Sequence, residues 1–332
     1  MVKYIIKRVL YSILILFFVS LILYLLMRML PADYVDKVVA AQSGAKTLSD
    51  EQIQHIKELY GLADSSFGGI IKGYFSWLGG ALQGDFGVSF VYGQPVGTVI
   101  FDHMWISFSV AIIAYILQFI IAIPLGIKAA TKQYGAIDYT TSIFSMIGIS
   151  LPGFFLAILL IRVFAIELGW FPMQGLNDAM TDWTGNGFGK LMDSLWHMIL
   201  PMVAIVIGSI GGLMRHTRTN TLEVLNQDYI RTARAKGLSE HKVVYKHVFR
   251  NTMVPIVTMT AGIIPSLFGG MMILEQVFAL DGIGQIAYRA LSQGDIPFVM
   301  GYNMFIAVLT VIGTLLSDIT YMLVDPRIKI TK

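Results

Sequence analysis

Cysteine is absent from the chain, and charge is scarce, with Asp, Glu, Lys and Arg together making up 14% of 332 residues. The first absence excludes a disulfide framework, a thiolate nucleophile and any cysteine-based metal site, and leaves the redox compartment open. The second excludes an ordinary soluble fold, in which roughly a quarter of residues are charged. With hydrophobic residues at 55%, such a fold would show water far more apolar area than it tolerates. A bilayer is the solvent that fits. The six histidines show no HExxH or comparable ligand spacing, so a metal site has little support. No paired carboxylates or Ser–His arrangement lies within the apolar runs, which leaves a membrane-embedded enzyme without a catalytic constellation. An ion-coupled secondary carrier would need a coupling site at mid-membrane and usually an internal repeat. Neither is clear here.

What the sequence has in abundance is apolar runs. A spanning helix needs about 20 mostly apolar residues, and six segments qualify: Val9–Met27, Ile106–Ile127, Tyr139–Ile161, His197–Met214, Met253–Leu274 and Phe298–Leu323. The first follows a basic start, Lys3, Lys7 and Arg8, like a signal peptide. It is too long for an h-region and lacks a small-residue cleavage site, so it reads as a retained helix. In the fourth, Pro201 falls in the first turn, where proline is tolerated. Six spans put both termini on one side, and that side then carries 16 of the 24 Lys and Arg, which orients the chain N-in and C-in.

The spacing divides the chain into an N-terminal helix (1–29), an external region (30–105), a core of five spans (106–323) and a tail (324–332). In the external region, Ser49-Asp50-Glu51-Gln52 reads as a capping box opening a short amphipathic helix that Gly61 ends. Ile70, Ile71, Tyr74, Phe75, Trp77, Leu78 and Leu82 follow, an aromatic-rich surface suited to the headgroup boundary, either a lid packed on the membrane domain or a surface for docking a partner. Small residues at helix-packing spacing, Gly208 with Gly212 and Gly262 with Ser266 and Gly270, fit packing within the subunit or a seam between subunits. Gln118 and Asp318 are polar residues inside spans, and Asp318 lies close enough to the interface to pair with a nearby base or reach water. Two glycine-rich stretches imitate nucleotide sites. Gly185–Lys190 has Leu191 where a phosphate loop needs Ser or Thr, and Gly282–Ala287 has no βαβ unit around it.

The basic segment Arg215–Thr252 is too long for a connector. It holds a helical pattern Asp228–Lys236, a Gly237 stop, the N-cap candidate Ser239 and a second pattern Glu240–Phe249. Topology needs only basic residues, whereas helix–Gly–helix is a folded shape suited to a cleft on another protein. The order in Arg231-Thr232-Ala233-Arg234-Ala235-Lys236-Gly237 resembles the Glu-Ala-Ala loop of ABC importer permeases, with Arg231-Thr232 replacing Glu-Ala. Stretches along nearly the whole chain are similar to the oligopeptide/dipeptide B-type permease subunits. They include Tyr4–Arg8, Leu59–Leu62, Gly84–Ser89, Leu151–Phe154, Leu168–Pro172, Gly269-Gly270 with Glu275, and Asp325–Arg327.

That resemblance implies an all-α, MetI-like permease core of a type I importer in the cell membrane of a prokaryote, carrying oligopeptides or dipeptides. It implies a second homologous permease, two cytoplasmic ATPase subunits that bind ATP and Mg, and an extracytoplasmic peptide-binding protein. Nucleic acid is not among the expected partners, and this chain is expected to hold no cofactor and no ATPase site. A nickel complex or a glycoside-type solute is the alternative cargo. The residues it marks for coupling are Tyr229, Arg231, Thr232, Ala233, Arg234, Ala235, Lys236, Gly237 and Ser239. Arg231, Arg234 and Lys236 would be polar anchors, Ala233 the point of close approach and Gly237 the turn. Gly269, Gly270, Glu275 and Asp318 are structural or path candidates.

Overall fold

The computed structural model describes residues 2–29, 51, 54, 58, 66–259 and 262–324. Apolar runs become helices because hydrocarbon offers nothing to satisfy a backbone N–H or C=O except the segment's own ladder. Among the described residues, four helices are long and apolar enough to cross a membrane: α1 (Val2–Arg28), α3 (Val96–Thr131), α6 (Gly187–Leu225) and α13 (Ile296–Val324). A shorter helix, α2 (Phe67–Leu82), precedes α3. The capping box and Gly61 lie outside the described residues except for Glu51, which is helical, as are Gln54 and Glu58. The stretches Leu59–Leu62 and Asp325–Arg327, with the rest of the tail, lie outside them altogether.

The third expected span is a bent pair. Helix α4 (Ala136–Ser150) stops at Leu151-Pro152, and α5 (Gly153–Leu160) runs on through π-type turns to Glu167 at 101° to it. Proline holds the residue before it out of the helical region, and Leu151 is extended at φ −85 and ψ 127. The fifth expected span is likewise not one helix. It is divided into α9 (Phe249–Met259), α10 (Ile263–Phe268) and α11 (Met272–Val277). Gly270 makes the last break with φ +70, a backbone region L side chains avoid.

Two expected boundaries move because no stop signal stands where hydropathy falls. Helix α3 begins at Val96, ten residues before the apolar run. Helix α6, 39 residues and about 58 Å long, extends past the bilayer at both ends. Pro201 is therefore interior to α6, not in its first turn, and Arg215–Leu225 is helix, which shortens the expected basic loop. The first of the nucleotide-like stretches is the start of α6: Asn186 Oδ1 accepts the Gly189 N–H at 2.9 Å, an ordinary cap.

Helices α3 and α6 form the centre, with α4 packed on α6. Close approach there depends on glycines. A Cβ on Gly126 would lie 2.7 Å from Thr217 Cβ, one on Gly148 2.5 Å from Ile207 O, and one on Gly211 2.5 Å from Ser145 O. Gly208 and Gly212, the pair picked out by spacing, have nothing within 4 Å of that position, so neither makes the packing within this chain. Gln118 is buried and its Nε2 donates to Ser209 O at 3.1 Å, tying α3 to α6. On the other side of the core, α2 lays Tyr74 and Trp77 against Tyr24 and Met27 of α1, and Tyr74 and Ser20 share a hydroxyl hydrogen bond at 2.9 Å. The same helix leaves Ile71, Phe75 and Leu82 exposed.

Gly211→Ala forces carbon against the α4 backbone, and overpacking of this kind costs about 1–3 kcal/mol. It is expected to lower the melting temperature of the purified protein in detergent, while Gly208→Ala leaves it within experimental scatter. Equal shifts for the two would contradict the packing described.

Candidate functional site

After α6 the chain turns at Asn226-Gln227 into α7 (Asp228–Ala235), reverses at Gly237, and enters α8 (Glu240–Lys242), whose path continues through π-type turns Val243–Val248 into α9. The reversal is a Schellman closure. Leu238 N–H donates to Ala233 O (3.4 Å) and Gly237 N–H to Arg234 O (2.9 Å), with Gly237 at φ +76. Ile230 and Ala233 share one face of α7 and are buried with Val243 and Val248. Val224, Leu225 and Leu238 pack on them. This knuckle therefore has a core of its own, fused to the last turn of α6.

The expected contact residues divide. Ala233 is 6% exposed and faces the knuckle interior, so it sets the approach of α7 to the following helix and not to a partner. Arg234 is also engaged internally: its Nε stands 2.7 Å from Glu240 Oε1 and its guanidinium reaches Oε2 at 3.2 Å, a two-pronged clamp across the turn. Ser239 has the extended backbone of an N-cap, yet its side chain makes no capping bond; its carbonyl receives the Val243 N–H at 3.0 Å. Tyr229, Arg231, Thr232, Ala235, Lys236 and Gly237 are exposed, and Arg231 approaches only Asp228, at 3.5 Å. The outer surface includes residues that spacing alone did not select. Tyr245, its ring tilted against His241 with centroids 4.7 Å apart, and Phe249 are exposed beside Lys242, Lys246 and Arg250.

A second constellation explains the glycines around 270 and 282. Glu275 is 2% exposed. Its Oε1 accepts from Ser107 Oγ (2.7 Å) and Met271 N (3.0 Å), and its Oε2 accepts from Gln285 N (2.8 Å). Ser107 Oγ in turn accepts the Ile283 N–H at 2.9 Å. The other nucleotide-like stretch, Gly282–Ala287, opens α12 (Ile283–Ser292) and wraps this carboxyl group. A Cβ at Gly282 or Gly284 would fall 2.5–2.9 Å from Glu275, and one at Gly270 2.4 Å from Gly284 N. Gly269 approaches Pro265 O and receives at its own carbonyl the Tyr302 hydroxyl of α13. These residues form a structural knot joining α3, α11, α12 and α13.

Three further acids tie elements together. Asp318 of α13 lies 3.2 Å from Arg8 Nε of α1. Asp138 of α4 receives both prongs of Arg218 of α6 and the Tyr134 N–H. Asp295, fully buried, accepts from Ser89 Oγ and Val91 N, and from Phe298 N as the start of α13. Burial pushes the Asp295 carboxyl above the ordinary range, opposed by the hydrogen bonds it receives. This accounts for Gly84–Ser89, a segment held down by an acid 206 residues away.

The arrangement is a membrane-embedded helical core with a folded basic projection, the architecture of a transport permease. Residues 122–330 match the family described as the binding-protein-dependent transport system inner membrane component, and residues 1–111 match the N-terminal family of such membrane components. The chain is 37% identical over 330 residues to the oligopeptide transport system permease protein AppB of Bacillus subtilis, covering 99% of this chain and 100% of that one. It is 34% identical over 332 residues, 99% of each chain, to a peptide transport system permease protein of Brucella abortus described as putative. It is 34% identical over 285 residues, 86% of each chain, to the dipeptide permease DppB of Bacillus subtilis. In fold it is similar to a chain of the inward-facing MetNI methionine ABC transporter, with a TM-score of 0.52 at 17% identity, over 68% of this chain and 96% of that one. The chain belongs to the family of binding-protein-dependent ABC transporter permeases.

Glu275→Leu strands the Ser107 hydroxyl and the Met271 and Gln285 amides, each worth about 1–3 kcal/mol when buried without a partner. It is expected to reduce the yield of folded protein from membranes severalfold, with Glu275→Gln, which keeps one carbonyl acceptor, in between. Unchanged yield for the leucine variant would show the knot to be dispensable.

Proposed function

We propose that the chain is the substrate-path subunit of an importer for oligopeptides or dipeptides, driven by ATPase subunits that dock on the knuckle at 228–251. The observation that carries this reading is the knuckle itself. Fixing topology requires only positive charge, and a basic segment with its own buried core, a closed Schellman turn and an internal Arg234–Glu240 clamp is ordered well beyond that need. Its outward face combines exposed aromatics with unclamped cations, the composition of a protein-contact surface. The peptide cargo is supported by the names of relatives matched over 86–99% of the chain.

In this reading both termini and the knuckle face the cytoplasm, ATP and Mg reside in the partner ATPases, and this chain carries no ATPase site. A second, homologous permease completes the path and an external binding protein delivers the peptide. The residues that meet the ATPases are Tyr229, Arg231, Thr232, Ala235, Lys236 and the exposed ring at Tyr245. Ala233, Arg234, Gly237 and Ser239 shape the knuckle from within. Closure of the ATPase pair moves the knuckle, and the bundle exchanges outward-open and inward-open states by rigid-body motion.

Arg231→Glu with Tyr229→Ala is expected to leave membrane insertion and knuckle folding intact while abolishing peptide-stimulated ATP hydrolysis by the reconstituted complex. Gly237→Val acts differently. Nothing lies within 4 Å of its Cβ position, so the loss comes from the left-handed backbone alone, about 1–2 kcal/mol. Gly237→Asn should therefore retain more activity than Gly237→Val. Wild-type stimulation in the double variant would remove the docking assignment.

A further inference from the structure

Between α3, α4 and α6 lies a cavity of about 370 Å³ whose lining changes character along the helix axes. At one end stand Arg215, Arg218 and Thr219 of α6 with Thr141 and Ser142 of α4. Met214 of α6 and Ser145 of α4 lie between, and Met146 and Ile149 of α4 stand at the other end. Arg218 is committed to Asp138. Arg215 is exposed and, among the described residues, makes no ion pair or hydrogen bond, so the cavity has one cation in want of an anion.

Its depth can be read from the packing. Arg218 meets Asp138 in the first turn of α4, and Gly211 meets Ser145 two turns further on. Arg215 therefore sits at the level of Thr141, about 9 Å along the helix from the turn that precedes α4. That is the depth of the polar boundary of a bilayer for a helix entering it there. The apolar wall continues for about two more turns, where Met146 and Ile149 leave the side of the cavity open (69% and 52% exposed).

We propose that this cavity holds an anionic glycerophospholipid, its phosphate against Arg215 and the Ser142 and Thr219 hydroxyls, one acyl chain along Met146, Ile149 and Met214. The charged-to-apolar gradient along the membrane axis is that of an amphiphile lying parallel to the helices. A peptide in transit fits less well, because its backbone would need polar partners along the apolar half as well. Basic pockets between membrane helices are a recognised setting for anionic headgroups.

Native mass spectrometry of the purified complex, exchanged into detergent with phosphatidylglycerol or phosphatidylcholine, tests this. Phosphatidylglycerol is expected to be retained in preference to phosphatidylcholine. Arg215→Gln should lower its retention about fivefold, the factor one basic residue is worth at an anionic surface, and Arg215→Lys should preserve it. Met146→Trp, which fills the open apolar side, should lower retention without touching the charge. The idea is overturned by equal retention of the two lipids, by full retention in Arg215→Gln, by displacement with inorganic phosphate alone, or by displacement with transported peptide. The last result would instead assign the cavity to the path and leave the transport reading standing.

Discussion

A polypeptide in hydrocarbon must satisfy its own amides, and that constraint explains where this chain keeps its helices and where it breaks them. Helices α1 and α13 meet it by continuous ladders, and α3 and α6 by ladders that each lose one N–H, at Pro124 and Pro201. The interruption at Gly269-Gly270 needs other acceptors, and Glu275 provides them. Its carboxyl group takes the amides of Met271 and Gln285, and through Ser107 it also organises the amide of Ile283. The glycines at 270, 282 and 284 are required because a carboxyl group must come within contact of three backbone segments at once. Acid and glycines are one device, and neither half would be stable alone.

The same economy appears in three other acids. Each joins elements distant in sequence, Asp138 to Arg218, Asp295 to Ser89 and Asp318 to Arg8. Association of helices in lipid lacks a hydrophobic drive, so close packing and polar bonds must hold the bundle together. Packing through Gly126, Gly148 and Gly211 assembles α3, α4 and α6; the acids fasten what lies around that centre. A chain with only 21 Asp and Glu places several of them at such joints.

How much of this the sequence disclosed depends on the kind of signal. Hydropathy reports transfer of side chains into lipid, so it located the apolar stretches, but it is blind to continuity. Met253–Leu274 reads as one span although Gly270 breaks it, and α6 reads as 18 residues although polar turns prolong it to 39. Pro152 was visible, and its consequence, a 101° bend, was not drawn from an apolar run alone. The knuckle was legible in its Gly237 turn and two helical patterns, because those rest on local backbone rules. Which face of α7 turns inward was not, since that depends on Val243 and Val248 across the turn; Ala233 and Arg234 were assigned outward for this reason. Glu275 stood out beside its glycines, but its role needed Ser107, 168 residues earlier.

The inward orientation of Ala233 and the Arg234–Glu240 clamp bear on how force would travel. A loop contacting a motor through flexible residues would absorb displacement in its own torsions. Here Ile230, Ala233, Val243 and Val248 share a core with Val224 and Leu225, so the knuckle cannot tilt without carrying the end of α6. From Leu225 the helix runs uninterrupted to Gly211, about 21 Å away, where backbone contact with Ser145 leaves no side chain to cushion movement. Arg218, between those points, grips Asp138 of α4. A push on the knuckle therefore arrives at α4 through packed backbone and a two-pronged ion pair. Beyond that contact, α4 is separated from α5 by the Leu151-Pro152 bend of 101°. In the proposed coupling, the stiff path would end at that bend, as rigid-body rocking requires.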